Sequence, residues 1–197
     1  MACALIWRDL LRVVLWTRVG ADVAADALDP FAVLGVARSC DVDGQAIEAA
    51  YLKRAARLHP DLASGDPAAR DAAEHAMASL NEARTILRDD ETRANVLLDL
   101  LGGPDGTACR DLPPGFLEAM MAKGLEIEDA LSEGCEALAA VEADLTADRT
   151  AVIDEARGLF KRATADDTET RREVRLVLNR WRYLERLLDR LHGAEAM

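Results

Sequence analysis

His59, Pro60 and Asp61 stand in a row, with Tyr51, Lys53, Arg54 and Arg57 just before them. Proline lacks a backbone donor and fixes its own φ, so the carboxylate of Asp61 is presented from a stiff turn. A carboxylate held this way can make a bidentate pair with an arginine of a partner. Lys53, Arg54 and Arg57 fall at helical spacing, which sets Arg57 beside the other two on one basic face. Such a face suits the steering of an encounter with an acidic surface. The tripeptide alone is a weak signal, because ordinary residue usage produces it in roughly one per cent of random chains of this length. Its value depends on what flanks it.

Other chemistry finds little support. Cys3, Cys40, Cys109 and Cys135 are too widely spaced for a zinc knuckle or a redox dithiol, and read as independent reduced thiols. His59, His75 and His192 include no i, i+4 pair, so no histidine-based metal site is expected. Asp41-Val42-Asp43-Gly44 looks like part of a calcium loop, but Ala50 stands where the bidentate glutamate belongs, and helix capping explains the acids better. No glycine-rich phosphate loop precedes a lysine, and no nucleophile arrangement is present. The reading is a protein that is not an enzyme and carries no metal or other cofactor.

Composition sets the frame for these residues. The chain has 197 residues, half of them apolar but only 4% aromatic, with 36 acidic and 24 basic side chains for a net charge of −12. That length and apolar content allow one or two domains with a buried core. The excess of acid argues against nucleic acid as a partner, since phosphate binding needs clustered Lys and Arg. Ala and Leu dominate the apolar set, so an all-α fold is expected. Residues 1–28 are apolar but interrupted by Arg8, Asp9, Arg12 and Arg18, with no uninterrupted apolar run longer than Ala2 to Trp7. Neither a membrane span nor a secretory signal is predicted there, only an amphipathic extension of unknown role.

The elements that must position the triplet are legible from Asp29 onward. Asp29-Pro30 caps a short helix that stops at Gly35. Asp41 to Gly44 caps a second helix, with Ile47, Ala50, Tyr51, Ala55 and Leu58 at helical spacing up to Pro60. Asp66-Pro67 opens a third, striped by Ala73, Met77, Leu80, Ala83 and Leu87. Joined by the short loop that holds His59 to Asp61, the two long helices should pack antiparallel. A fourth helix begins near Asp90 and closes at Gly102-Gly103-Pro104. After a linker over 104–115, three more helices are expected at about Phe116–Ala143, Ala147–Ala163 and Asp167–Leu191, closing a three-helix bundle. Acid concentrates before Glu155 and base after it, which suggests an acidic helix facing a basic one.

Asp29-Pro30-Phe31-Ala32-Val33-Leu34-Gly35-Val36, the stretch from Tyr51 to Asp61, and Leu80-Asn81-Glu82-Ala83 together resemble a J-domain, the module that stimulates DnaK-class ATPases. Arg88 to Leu98 is similar to the helix that leaves the J-domain in the HscB (Jac-type) iron-sulfur co-chaperones. Leu112-Pro113-Pro114-Gly115-Phe116-Leu117 and Arg180-Trp181-Arg182-Tyr183-Leu184-Glu185-Arg186-Leu187 resemble the start and the closing helix of that family's client-binding domain. The resemblance spans Asp29 to Leu191.

It implies a J-domain over 29–103, a linker over 104–115 and a client-binding domain over 116–191. His59, Pro60, Asp61, Lys53, Arg54 and Arg57 would then meet the ATPase domain of a DnaK/HscA-class chaperone. Leu117, Met121 and Tyr183, with Met120 adjacent, would hold an IscU-type iron-sulfur scaffold protein, in the cytoplasm as for the bacterial type. Arg54 stands where an apolar residue is common in the family. Glu118 does the same, and Ala122 and Lys123 replace a typically acidic and apolar pair. Two other readings stay open: a general J-domain co-chaperone for unfolded clients, and a helical interaction module that acts on no chaperone.

Overall fold

The computed structural model describes residues 29–58 and 67–195, and the expectations for residues 1–28 and for the His59-Pro60-Asp61 turn lie outside them. Among the described residues there are seven helices and no strand. Helix α1 (Pro30–Leu34) is capped by Asp29, whose carboxylate accepts from the Phe31 amide at 3.0 Å, and it buries Phe31 and Leu34. It stops at Gly35, where φ is +63°, a conformation that glycine reaches without strain. Helix α2 (Gly44–Ala55) is capped by Asp43, and a turn carries the chain on to Leu58.

Helix α3 (Pro67–Arg88) buries Leu80, Ala83 and Leu87, the C-terminal half of the predicted stripe. It lies antiparallel to α2, because Tyr51 meets Asn81 while Glu48, one turn earlier, meets Arg84 and Arg88. Helix α4 (Asp90–Leu100) is capped by Asp89, which takes both the amide and the hydroxyl of Thr92. Arg93 at its start is 4% exposed and fastens three segments together. It donates to the Cys40 carbonyl at 3.0 Å and the Leu87 carbonyl at 2.6 Å, and pairs with Asp90.

The second unit consists of α5 (Phe116–Glu133), α6 (Cys135–Phe160) and α7 (Thr168–Glu195). The bundle is as expected, but its first break is not. The chain turns at Gly134, with φ +112° and ψ −172°, a backbone closed to L side chains, and α6 runs unbroken through the predicted gap between Ala143 and Ala147. The physical reason is a heptad. Leu138, Leu145, Val152 and Leu159 are all buried, so breaking the helix near Leu145 would take a core residue off its stripe. Val174, Val177, Trp181, Leu184, Leu188 and Leu191 form the matching stripe of α7. Polar pairs line the helix contacts: Arg149 meets Glu185 at 2.6 Å, Arg180 meets Glu155 at 2.7 Å, and the His192 ring lies 2.9 Å from the Glu142 carboxylate. Exposed pairs of this kind are worth about 0–1 kcal/mol and chiefly fix register.

The segment between the two units is strapped down along its length. Arg171 donates to the carbonyls of Leu101 and Gly102, Arg175 to Pro104 at 2.8 Å and to Asn95 at 2.7 Å, and Asn179 to Cys109 and Asp111 at 3.1 and 3.0 Å. These three residues recur every fourth position, so one edge of α7 grips the whole connector. Arg182 adds an ion pair to Glu91 of α4.

Replacing Arg93 by Ala leaves two buried carbonyls without a donor, and is expected to cost about 3 kcal/mol of unfolding free energy. Urea denaturation of the two proteins measures it, and a loss within error of zero would contradict the role given to Arg93.

Candidate functional site

Two separate surfaces come from the residues singled out in the sequence. The first is the frame around the His59-Pro60-Asp61 turn, whose own placement lies outside the described residues. Both helices that flank the turn are described, and a polar clamp on their open faces joins them. The Tyr51 hydroxyl donates to Asn81 at 2.8 Å, and the Arg84 guanidinium lies 4.6 Å from the centroid of the same ring. Arg84 and Arg88 both reach Glu48 at 2.9 Å. The hydrogen bond from Arg84 is the main reason the Glu48 carboxyl is held below the ordinary glutamate range, with the charges of Arg84 and Arg88 adding to it. Of this clamp, the sequence marked Tyr51 and Asn81; Glu48, Arg84 and Arg88 became visible only once the antiparallel register was known.

Lys53 and Arg54 are exposed on the last turn of α2, and Arg57 is exposed on the turn that follows it. Arg54 is nonetheless committed elsewhere. Its guanidinium donates to the Val33 carbonyl at 2.7 Å and covers Gly35, so closely that a side chain at position 35 would collide with it. Arg54 therefore satisfies an orphan carbonyl at the end of α1 and ties α1 to α2. It carries this structural bond in addition to its place on the expected basic face.

The second surface lies on α5. Leu117, Met121 and Leu125 are 47, 66 and 62% exposed, and their spacing of four aligns them as a ridge. Leu131 extends apolar exposure toward the end of the helix. The edge of α7 runs beside the ridge, where Tyr183 meets Phe116 edge to face with ring centroids 6.0 Å apart. Met120 differs from its neighbours: at 8% exposure it belongs to the core and supports the ridge from beneath. Leu125 was missed, although its step of four from Met121 was a readable signal. Glu118 and Ala122 are exposed beside the ridge, whereas Lys123 points away from it toward Asp144 and Asp148 on α6. Among the described residues no helix is long and apolar enough to cross a membrane.

Comparison with known proteins places these features in a family. The DnaJ domain family model matches residues 29–96, from the cap of α1 into α4. The co-chaperone protein HscB homolog of Bordetella petrii is 30% identical over 177 residues, a match spanning 87% of this chain and 98% of that protein. The chain belongs to the HscB co-chaperone family. Two solved structures share its fold with a TM-score of 0.70: the chaperone HscB from Vibrio cholerae, 22% identical over 85% of this chain and 97% of that one, and human co-chaperone protein HscB, 23% identical over 87% and 85%. As an HscB family member the protein is a co-chaperone with a J-domain, and its helical C-terminal unit, ridge included, lies within the span that the relatives cover.

Two outcomes follow for the frame. Arg54→Ala should lower stability by about 1 kcal/mol, while Lys53→Ala stays within about 0.5 kcal/mol of the parent. Because the folded state depresses the Glu48 pKa, the stability it contributes is present above the ordinary glutamate pKa and lost as pH falls through the lower folded value. Thermal unfolding of the parent and of Glu48→Gln should therefore differ at pH 7 and converge toward pH 3.

Proposed function

We propose that this protein is a co-chaperone of iron-sulfur cluster biogenesis that delivers an IscU-type scaffold to a DnaK/HscA-class chaperone and stimulates its ATPase. Residues 29–103 act as the J-domain, 104–115 as the connector and 116–191 as the client-binding domain, in the cytoplasm as for a bacterial-type member. The observation that carries the reading is the pairing, on one strapped body, of a basic helix leading into His59-Pro60-Asp61 with an exposed apolar ridge on α5.

Lys53 and Arg57 steer the encounter with an acidic face of the ATPase domain, an effect on association rate that salt weakens. Asp61, stiffened by Pro60, takes an arginine of the chaperone, and His59 completes the docking turn. Such contact biases the chaperone toward its hydrolysing conformation by differential affinity for that state, and the co-chaperone itself breaks no bond. Leu117, Met121 and Tyr183 hold the scaffold, with Leu125 lengthening the apolar contact. A ridge of this kind would be costly to leave in water unless a partner covers it. Met120 supports the ridge through packing, and Arg54 holds α1 against α2 while adding its charge to the same basic face.

Steady-state ATPase assays test the first half of the reading. His59→Gln should abolish stimulation while circular dichroism and scaffold binding remain those of the parent, and stimulation retained by this variant would overturn the assignment. For the second half, Leu117→Ala with Met121→Ala should weaken scaffold binding by about tenfold or more, as removal of a central apolar anchor does. Stimulation of the chaperone in the absence of scaffold should be unchanged.

A further inference from the structure

Tyr183, Arg186 and Arg190 recur at i, i+3 and i+7 and so share one face of α7. The outer two touch α5. Tyr183 meets the Phe116 ring, and Arg190 pairs with Glu128 and lies against Gly124. Arg186 is therefore held between them, on the edge of α7 that runs along α5, across the seam from Leu117, Met121 and Leu125. It is exposed, and its guanidinium sits 5.8 Å from the centroid of the Tyr183 ring. A contact with a ring face orients a guanidinium without using any of its five N–H donors. Arg186 is exposed on the edge of α7 that borders the α5 ridge, where a partner lying on the ridge would come within its reach.

We propose that Arg186 is a specificity-determining residue of this docking surface, receiving a carboxylate of a folded partner whose apolar cluster covers Leu117, Met121 and Leu125. The inference rests on the reading of the ridge as the scaffold surface and adds the chemistry its partner must carry. Charge argues for it. With a net charge of −12, the chain repels an acidic partner over most of its surface, so a single oriented cation beside an apolar anchor fixes where and in which register that partner docks. Arginine supplies this better than lysine, because its planar fork matches a carboxylate and stacks on the ring at the same time.

The test is isothermal titration of an IscU-type scaffold into the full chain at low and at physiological salt, with circular dichroism to verify each fold. Arg186→Glu should weaken binding by about tenfold or more at low salt and recover part of it as salt rises, while Arg186→Met should show a flatter salt dependence than the parent. Arg186→Lys should retain part of the affinity with the salt dependence preserved. If Arg186→Glu and Arg186→Met bind like the parent while Leu117→Ala with Met121→Ala does not, the inference fails and the ridge reading stands. If the ridge variant also binds like the parent, the reading beneath it fails as well. Sedimentation supplies the remaining arm: self-association that the ridge variant abolishes, without scaffold binding by the parent, would make a second copy the occupant and overturn the proposal.

Discussion

The placement of the two helical units on one another depends on the grip of α7 on the connector. Arg175 is 1% exposed, and burial pulls its pKa down while Asp99, 3.9 Å away, opposes the shift; the Pro104 carbonyl and Asn95 receive its donors and help the buried charge to be tolerated. Arg171 and Asn179 repeat the same arrangement one turn to either side. A connector of mixed polar and glycine residues would otherwise be a natural hinge. Carbonyls that a flexible linker would leave to water are here bound by a single rigid helix. The same helix carries Tyr183 and Arg186 beside the ridge, so the α5 ridge and the J-domain are indexed to one element.

The J-domain half depends on a second set of constraints, directed at one turn. The clamp of Tyr51, Asn81, Glu48, Arg84 and Arg88 holds α2 against α3 on the open side, while Phe31, Leu34, Ile47, Leu80 and Leu87 close the core beneath it. Arg93 then ties this unit to the start of α4. The clamp and the core together fix α2 and α3 in register with each other.

Much of this was legible in the sequence, for local reasons. Asp29-Pro30, Gly35, Asp43 and Gly102-Gly103 are capping signals whose chemistry acts within a few residues, and each marks a helix end in the structure. The stripe Leu80, Ala83, Leu87 has one period and one interpretation. The break between α5 and α6 was misplaced because a glycine in a long apolar pattern looks tolerable until its φ is known, whereas the heptad of Leu138, Leu145, Val152 and Leu159 required the partner helix to become meaningful. The interactions least legible were those between residues far apart in the chain. Arg54 reads as one of three cations on a helix face, and only the fold reveals the Val33 carbonyl it serves. Met120 and Met121 are adjacent and chemically identical, yet a rotation of one helical position places one in the core and the other in solvent. Arg175 and Asn179 gave no warning that they would bind a connector 70 residues earlier.

If one body carries both surfaces, the chaperone should respond to the co-chaperone and the scaffold together differently from either alone. The direct measurement is the steady-state ATPase rate of a DnaK-class chaperone with this protein, with an IscU-type scaffold, and with both. Stimulation by the pair is expected well above the sum of the separate effects, because a scaffold held on the α5 ridge would be delivered in a fixed relation to the J-domain. A rate for the pair equal to that sum, with both partners shown to be bound, would contradict it.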